Sequence, residues 1–265
     1  MQQQAGSPEV QLGLAINALG SEAFAPALSR WLSESYDIDN TTMLAYFQSR
    51  KPRVLFTQSR DPKVHARLEG DYLSGAYLID PFHDLHLRKV PAGLYRLRDI
   101  APDAFLRHEY FAAYYRSTTL IDEIAYVANP AAGVSVHVCL GRDATSGRSF
   151  SSRDMERARA IAPIACALCE KQWGGLSSAG ADTNAPLSDR LIRALRDAHG
   201  IGLSPRQAEV ALLILRGHST TSIALRLEIS PQTVKVFRKQ IYRKCAISSQ
   251  AELFSLILPL LTEGA

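Results

Sequence analysis

The chain has 265 residues, 30 Lys and Arg against 26 Asp and Glu, and four cysteines. That length accommodates two domains with separate cores, and so few cysteines exclude a secreted disulfide scaffold. With no signal-peptide pattern and no apolar run of membrane-spanning length, the expectation is a soluble, cytoplasmic protein without membrane contact.

The first eight residues form a polar lead-in. From Glu9 to Ser35 the apolar positions Val10, Leu14, Ala18, Leu28 and Leu32, with Ile16, Leu19, Phe24 and Trp31 beside them, predict one helix or two short ones. Residues 41–47 and 54–57 read as strands around the turn Arg50-Lys-Pro52. Residues 64–73 read as a helix ending near Ser74-Gly75, followed by a short apolar run over 76–79 and the turn Asp80-Pro81. A strand over 93–97, helix over 101–115 and strands over 123–128 and 133–140 come next. Asn129-Pro-Ala-Ala-Gly133 joins the last two strands, which predicts a hairpin with a loop longer than the minimum. Ser151-Ser152 caps a closing helix that runs to about Trp173. This order is that of a GAF- or PAS-like α+β sensor: an antiparallel sheet with flanking helices, an arrangement that commonly makes a ligand pocket.

Within this region Tyr72, Tyr77, Asp80, Tyr114, Tyr115, Asp122, Glu123 and His137 are the pocket candidates. Aromatic rings with a few carboxylates can cup a cation or hydrogen-bond a small polar ligand. His83 and His86 flank Asp84 with no further ligand in view, and Cys166 and Cys169 lie three apart in an apolar helical run. No metal or cofactor is therefore expected. No nucleophile elbow, phosphate loop or paired acids stand at a catalytic spacing, so no enzyme is expected. A phosphorylated receiver is also disfavoured, because the strand over 54–57 ends in no acid and the hairpin does not suit a parallel sheet.

Residues 174–186 are rich in Gly, Ser and Ala, as a linker is, and Ser188 can cap a helix through Leu191, Ile192 and Leu195 to Gly200. From Leu203 onward eight Lys or Arg meet four acids, while residues 1–202 carry 22 of each, so the formal charge of +4 sits in the last quarter. There the apolar residues recur at helical spacing, broken at Gly217 and at the cap candidates Ser219 and Ser230. The short middle helix puts Ile223, Ala224 and Leu227 inside. In the next one Pro231 opens the helix, Val234, Phe237, Ile241 and Cys245 fall on one face, and Lys235, Arg238, Lys239, Arg243 and Lys244 cover much of the rest with no acid. A seam of this kind holds the helix on its own domain while the cations meet DNA phosphates. Gln232, Thr233, Lys235, Val236 and Lys239 sit early enough to reach base edges.

The spaced residues Leu203-Ser-Pro-Arg-Gln-Ala-Glu-Val210, Gly217, Ile223-Ala224, Ile229-Ser230, Thr233-Val-Lys235, Ile241-Tyr242, Lys244 and Ser249-Gln-Ala-Glu-Leu253 resemble the LuxR-type helix-turn-helix output domain. The resemblance implies a four-helix domain, usually dimeric, with Lys235, Val236 and Lys239 as base readers and Thr233 and Lys244 nearer the backbone. Phe237 stands where that family usually has His, and Arg238 where it usually has an aliphatic, so the target sequence does not carry over. Upstream, Tyr72, Tyr77 and Asp80-Pro81 are similar to the pocket motif of the family's autoinducer domain, but Leu68 stands where that motif has Trp, which argues against an acyl-homoserine lactone. Residues 110–173 look more like the GAF-like sensors of orphan LuxR regulators.

The expected organisation is a sensor over 9–173, a linker and linker helix over 174–200, and the helix-turn-helix domain over 201–262. The expected partners are double-stranded DNA, a small-molecule effector and a second copy of the chain, with the final helix a candidate dimer surface. The alternative is a ligand-independent DNA binder whose front domain serves dimerisation or protein contact.

Overall fold

The computed structural model describes residues 6–48, 50–105, 115–178 and 186–263. They fall into two compact units, one of Met1–Ala66, Leu85–Ile100 and Thr119–Asp182, the other of Arg67–Asp84, Ala101–Thr118 and Thr183–Ala265.

The first unit is built on a five-stranded, wholly antiparallel sheet in the order β2-β1-β5-β4-β3. The strands are β1 (Asn40–Phe47), β2 (Arg53–Ser59), β3 (Gly93–Arg96), β4 (Leu120–Ala131) and β5 (Val134–Asp143). An all-antiparallel sheet is incompatible with a receiver's parallel one. β5 is central and buried along its whole length, so its alternation separates two chemistries. Val138 and Leu140 enter a core with Met43, Ile124 and Tyr126, joined by residues of α1 (Pro8–Asn17), α2 (Phe24–Ser35) and α5 (Ser152–Trp173). The intervening Ser135, His137 and Cys139 lie on the opposite side of the strand. Between sheet and helices the Tyr36 and Tyr126 hydroxyls meet at 2.8 Å, and the Tyr126 hydroxyl donates to the Ala158 carbonyl at 3.0 Å. Ser151 and Asp154 close a capping box that starts α5.

The hairpin loop is shorter than its composition suggests. β4 continues through Pro130 to Ala131, leaving a two-residue turn in which Gly133 has φ +69°. The ladder register shifts between Ala128 and Ala131, which accommodates a proline with no N–H to give. The neighbouring Asn129 N–H turns to Glu170 Oε1 at 3.1 Å instead. Gly141 has a different reason to be glycine: a Cβ there would fall 2.2 Å from Asn40 Oδ1, whose amide donates to Asp143 at 2.8 Å.

The stretch expected as one helix over 64–73 is two short turns, Pro62–His65 and Leu68–Tyr72, and residues 76–79 form a 3-10 turn rather than a free apolar run. Glycines at 70 and 75 and short apolar spacing leave too few consecutive helical bonds for one rod. Asp80 then caps α3 (Pro81–Leu87) by accepting the Phe82 N–H at 2.7 Å, and Pro81 takes the first helical position. A single turn, α4 (Leu97–Ile100), follows β3. Most of the helix expected over 101–115 lies outside the described residues.

The second unit contains α6 (Leu187–His199), α7 (Pro205–Leu215), α8 (Thr220–Leu227), α9 (Pro231–Lys244) and α10 (Gln250–Glu263). α6 begins after Pro186 rather than at a Ser188 cap, because extended Pro186 already presets the entry, and it ends on Gly200 at φ +67°. α7 is nearly all core, with Gln207, Ala208 and Val210 through Leu215 buried. Ser219 accepts the Ser222 N–H at 3.2 Å and Ser230 the Thr233 N–H at 3.0 Å, so both caps expected from the sequence form. Ile223 and Ala224 of α8, Val234 and Ile241 of α9, and Leu253 and Ile257 of α10 complete this core.

Candidate functional site: the basic helix and the polar sheet face

α9 divides along its axis as its pattern requires. Val234 and Ile241 are buried, whereas Gln232, Lys235, Val236, Lys239 and Arg243 are exposed and Thr233 is half-buried. Val236 is apolar and 45 % exposed. Two of the cations are engaged at home. Arg238 donates to the Tyr242 hydroxyl at 3.1 Å, lies 5.3 Å from that ring's centroid and reaches Gln250 Oε1 at 3.4 Å. Lys244 Nζ donates to the Gly202 carbonyl at 2.7 Å and to Gln207 Oε1 at 2.9 Å, tying the end of α9 to the start of α7. The exposed donors are thus concentrated on the first two-thirds of the helix and at Arg243.

The pocket candidates separate into two sets. Tyr72, Tyr77, Asp80 and Tyr115 belong to the second unit and Asp122, Glu123 and His137 to the first, while Tyr114 lies outside the described residues. Tyr72 and Tyr77 are both buried with ring centroids 6.3 Å apart, and Tyr77 meets the His83 ring edge-on at 5.0 Å. Burial pushes the Tyr77 hydroxyl's pKa up. Tyr115 packs edge-on against Phe105 at 5.4 Å. Asp122 is a clasp: it pairs with Arg96, lies 3.5 Å from Arg98 and accepts the Phe150 N–H at 2.9 Å.

His137 is completely buried at the centre of the polar face of β5. Its Nε2 lies 3.0 Å from Ser135 Oγ, which lies 2.8 Å from His86 Nδ1, so one hydroxyl links two imidazoles. Tyr46 stacks on His86 at 5.8 Å and meets His137 edge-on at 4.7 Å, while His137 Nδ1 lacks a protein partner. Burial lowers His86 to about 4 and His137 to about 3, so both rings are neutral near pH 7. Beside them a pocket of about 280 Å³ opens between His86, Leu87 and Lys89 on one side and Gln48, Asn129 and Val134 on the other. Ser135 and Tyr46 were not singled out by sequence, and His86 was weighed there only with His83 as a metal-ligand pair; the polar alternation of β5 signals Ser135 alone.

Residues 202–257 match the family model described as bacterial regulatory proteins, luxR family. A predicted HTH-type transcriptional regulator from the exeN 3' region of Aeromonas salmonicida is 32 % identical over 186 residues, covering 68 % of this chain and 93 % of that protein. The chain belongs to the luxR family of bacterial regulatory proteins. Response regulator GacA of Pseudomonas aeruginosa is 41 % identical over only 51 residues, 19 % of this chain and 24 % of its own. The crystal structure of the VqsR LBD domain from Pseudomonas aeruginosa is similar over 64 % of this chain and 98 % of its own, at 25 % identity and a TM-score of 0.53.

The protein is thus a LuxR-family transcriptional regulator with a DNA-binding helix-turn-helix at its C-terminus and an N-terminal domain resembling the VqsR LBD domain. In this luxR-family regulator α8 and α9 are the helix-turn-helix pair, and α9 carries the exposed basic face. Among the described residues no group of three or more His, Cys, Asp or Glu is placed to hold a metal ion, and no helix is long and apolar enough to cross a membrane. The four cysteines are buried and form no disulfide, and burial raises the Cys166 thiol to about 11.

Proposed function

We propose that the protein is a cytoplasmic, homodimeric regulator that docks α9 in the major groove and answers to a small molecule bound by its N-terminal domain. The observation that carries the DNA half is the exposed, acid-free face of Gln232, Lys235, Val236, Lys239 and Arg243 on a helix held by a buried seam. Lys235 and Lys239 suit guanine O6 and N7, Gln232 suits adenine and Val236 a thymine methyl, with Thr233 and Arg243 toward phosphates. Two heads on half-sites about one helical turn apart, roughly 34–36 Å, would read a palindrome, and ligand would act by changing which arrangement of the heads is populated. The sensor half draws on the resemblance to a ligand-binding domain and on the pocket of about 280 Å³ beside His86. In chain terms we assign the sensor to 9–173 and the DNA-binding domain to 201–262.

Selection of binding sites from a random duplex library, followed by fluorescence anisotropy, tests the DNA half. Lys235→Ala and Lys239→Ala are expected to lose discrimination between selected and scrambled sites by about 1–3 kcal/mol each. Equal weakening on both sequences would refute a base-reading role. Native mass spectrometry of the purified full chain, with a thermal-shift screen of amines, acids, lactones and nucleotides, tests the sensor half; a folded dimer shifted by nothing would refute it. A front domain devoted to assembly is the second reading, favoured by the exposed apolar side chains Val10, Leu14 and Ile16 on α1 and Ile164 on α5.

A further inference from the structure

Within the second unit, two carboxylates from upstream segments engage the turn between α7 and α8. Asp84 of α3 lies 3.4 Å from Arg216 and 3.7 Å from Arg226. Arg216 also donates to the Leu78 carbonyl at 3.4 Å. Asp103 Oδ1 accepts the N–H of Ser219, the N-cap of α8, at 2.9 Å, and the adjacent Ala104 N–H donates to the Gly217 carbonyl at 3.2 Å. These contacts share one location: the turn and first helix of the helix-turn-helix pair.

The first helix of such a pair crosses the DNA backbone, and its arginines and N-terminal N–H groups are the donors that duplex phosphates use. A carboxylate and a phosphate are anions of similar appetite, and a single N–H or guanidinium edge cannot serve both at full strength. We propose that Asp84 and Asp103 form an anionic latch on the α7–α8 turn, occupying donors that duplex phosphates would take, so that latching and tight DNA binding exclude one another. The exposed face of α9 is untouched by these two acids, so the latch limits affinity for the backbone while leaving the base-reading side chains open. The electrostatics agree with an anion held in place. Burial works to raise the Asp103 carboxyl, but hydrogen bonds from the Ser219 side chain and backbone outweigh it and hold it below its usual value. Burial lowers Arg216, and Asp84 offsets part of that.

The latch rests on the DNA-binding reading and is tested on the full chain with a mixed-sequence duplex by anisotropy across a salt series. Asp84→Asn/Asp103→Asn is expected to bind about tenfold tighter, with a salt slope steeper by up to about 1.8 if two phosphate contacts are gained. The comparison is Asp189→Asn/Asp197→Asn, which removes the same charge from exposed positions of α6. No gain in the latch variant, or an equal gain in both, overturns the latch. Hydrogen exchange on the wild-type chain gives an answer that does not depend on any variant folding. Addition of duplex should speed exchange over 78–84 and 101–105, where the Ala104 N–H loses its Gly217 carbonyl; unchanged or slower exchange there overturns the latch. Binding without these differences refutes the latch alone, whereas no duplex binding by any protein refutes the DNA reading with it.

Discussion

The linked imidazoles of His86 and His137 give the first unit a pH dependence that can be worked out in sign and size. Both rings stand below their ordinary value of 6.5, at about 4 and about 3, because burial penalises the charged form. The unfolded chain therefore binds protons that the folded chain refuses, and stability falls as pH drops below about 6.5. The loss continues until pH reaches the folded values, near 4 and 3. Each pH unit in that window costs about 1.4 kcal/mol per ring, so between pH 7 and pH 5 each ring removes about 2 kcal/mol and the pair about 4. His65, lowered by burial in the same unit, pushes in the same direction. His137→Asn keeps a polar partner for Ser135 and deletes one titration, so it should lose about 2 kcal/mol less than wild type over the same interval. Urea unfolding followed by tryptophan fluorescence is the assay, since Trp31 and Trp173 both lie in this unit. Equal pH dependence in the two proteins, or none in either, would refute the placement of a neutral ring at the centre of β5.

Two substitutions separate structural from DNA-contacting roles. Gly141→Ala should destabilise the first unit by about 2–3 kcal/mol in the same fluorescence assay, because its Cβ would meet the Asn40 amide at 2.2 Å; Asn40→Ala in the same chain should recover part of the loss. Failure of the second change to help would show that the strain lies elsewhere. Lys244→Ala should lower the stability of the second unit by about 1 kcal/mol, having lost its bonds to Gly202 and Gln207, and leave the salt slope of DNA binding unchanged. A slope shallower by about 0.9 would instead assign Lys244 to a phosphate, as the family resemblance implied.

What the sequence reveals tracks how local the determining physics is. The helix-turn-helix is legible almost to the residue, because Ser219, Ser230, Pro231 and Gly217 act within one turn of where they stand and the seam of Val234 and Ile241 repeats at helical spacing. The central hairpin is legible for the same reason, and its tight turn is missed only because Pro130 reads as a loop residue until the register shift that tolerates it is seen. The stretch over 62–87 is poorly legible: several short turns carry no sustained period, so apolar residues there fit a helix and a loop equally well.

The polar sheet face and the carboxylate latch were illegible for a stronger reason. Ser135 and His137 share one face of one strand, but His86 reaches Ser135 from 49 residues away and Tyr46 meets His137 from 91, on the neighbouring strand β1 where it pairs with Ser135, a pairing no local spacing encodes. Asp84 likewise finds Arg216 across 132 positions and Asp103 finds Ser219 across 116. Seen along the chain, Asp84 is an acid between two histidines and Asp103 an exposed acid after a proline, each most simply solvated. The charge balance does carry one clue: the upstream region holds as many acids as bases, so it has carboxylates to lend to a domain with an excess of cations. An excess of +4 draws phosphates, but it draws the chain's own carboxylates at higher effective concentration, and only the difference between those two attractions is available for binding DNA. Substitutions that weaken the internal attraction should therefore raise affinity without touching α9, which separates control of binding strength from choice of sequence.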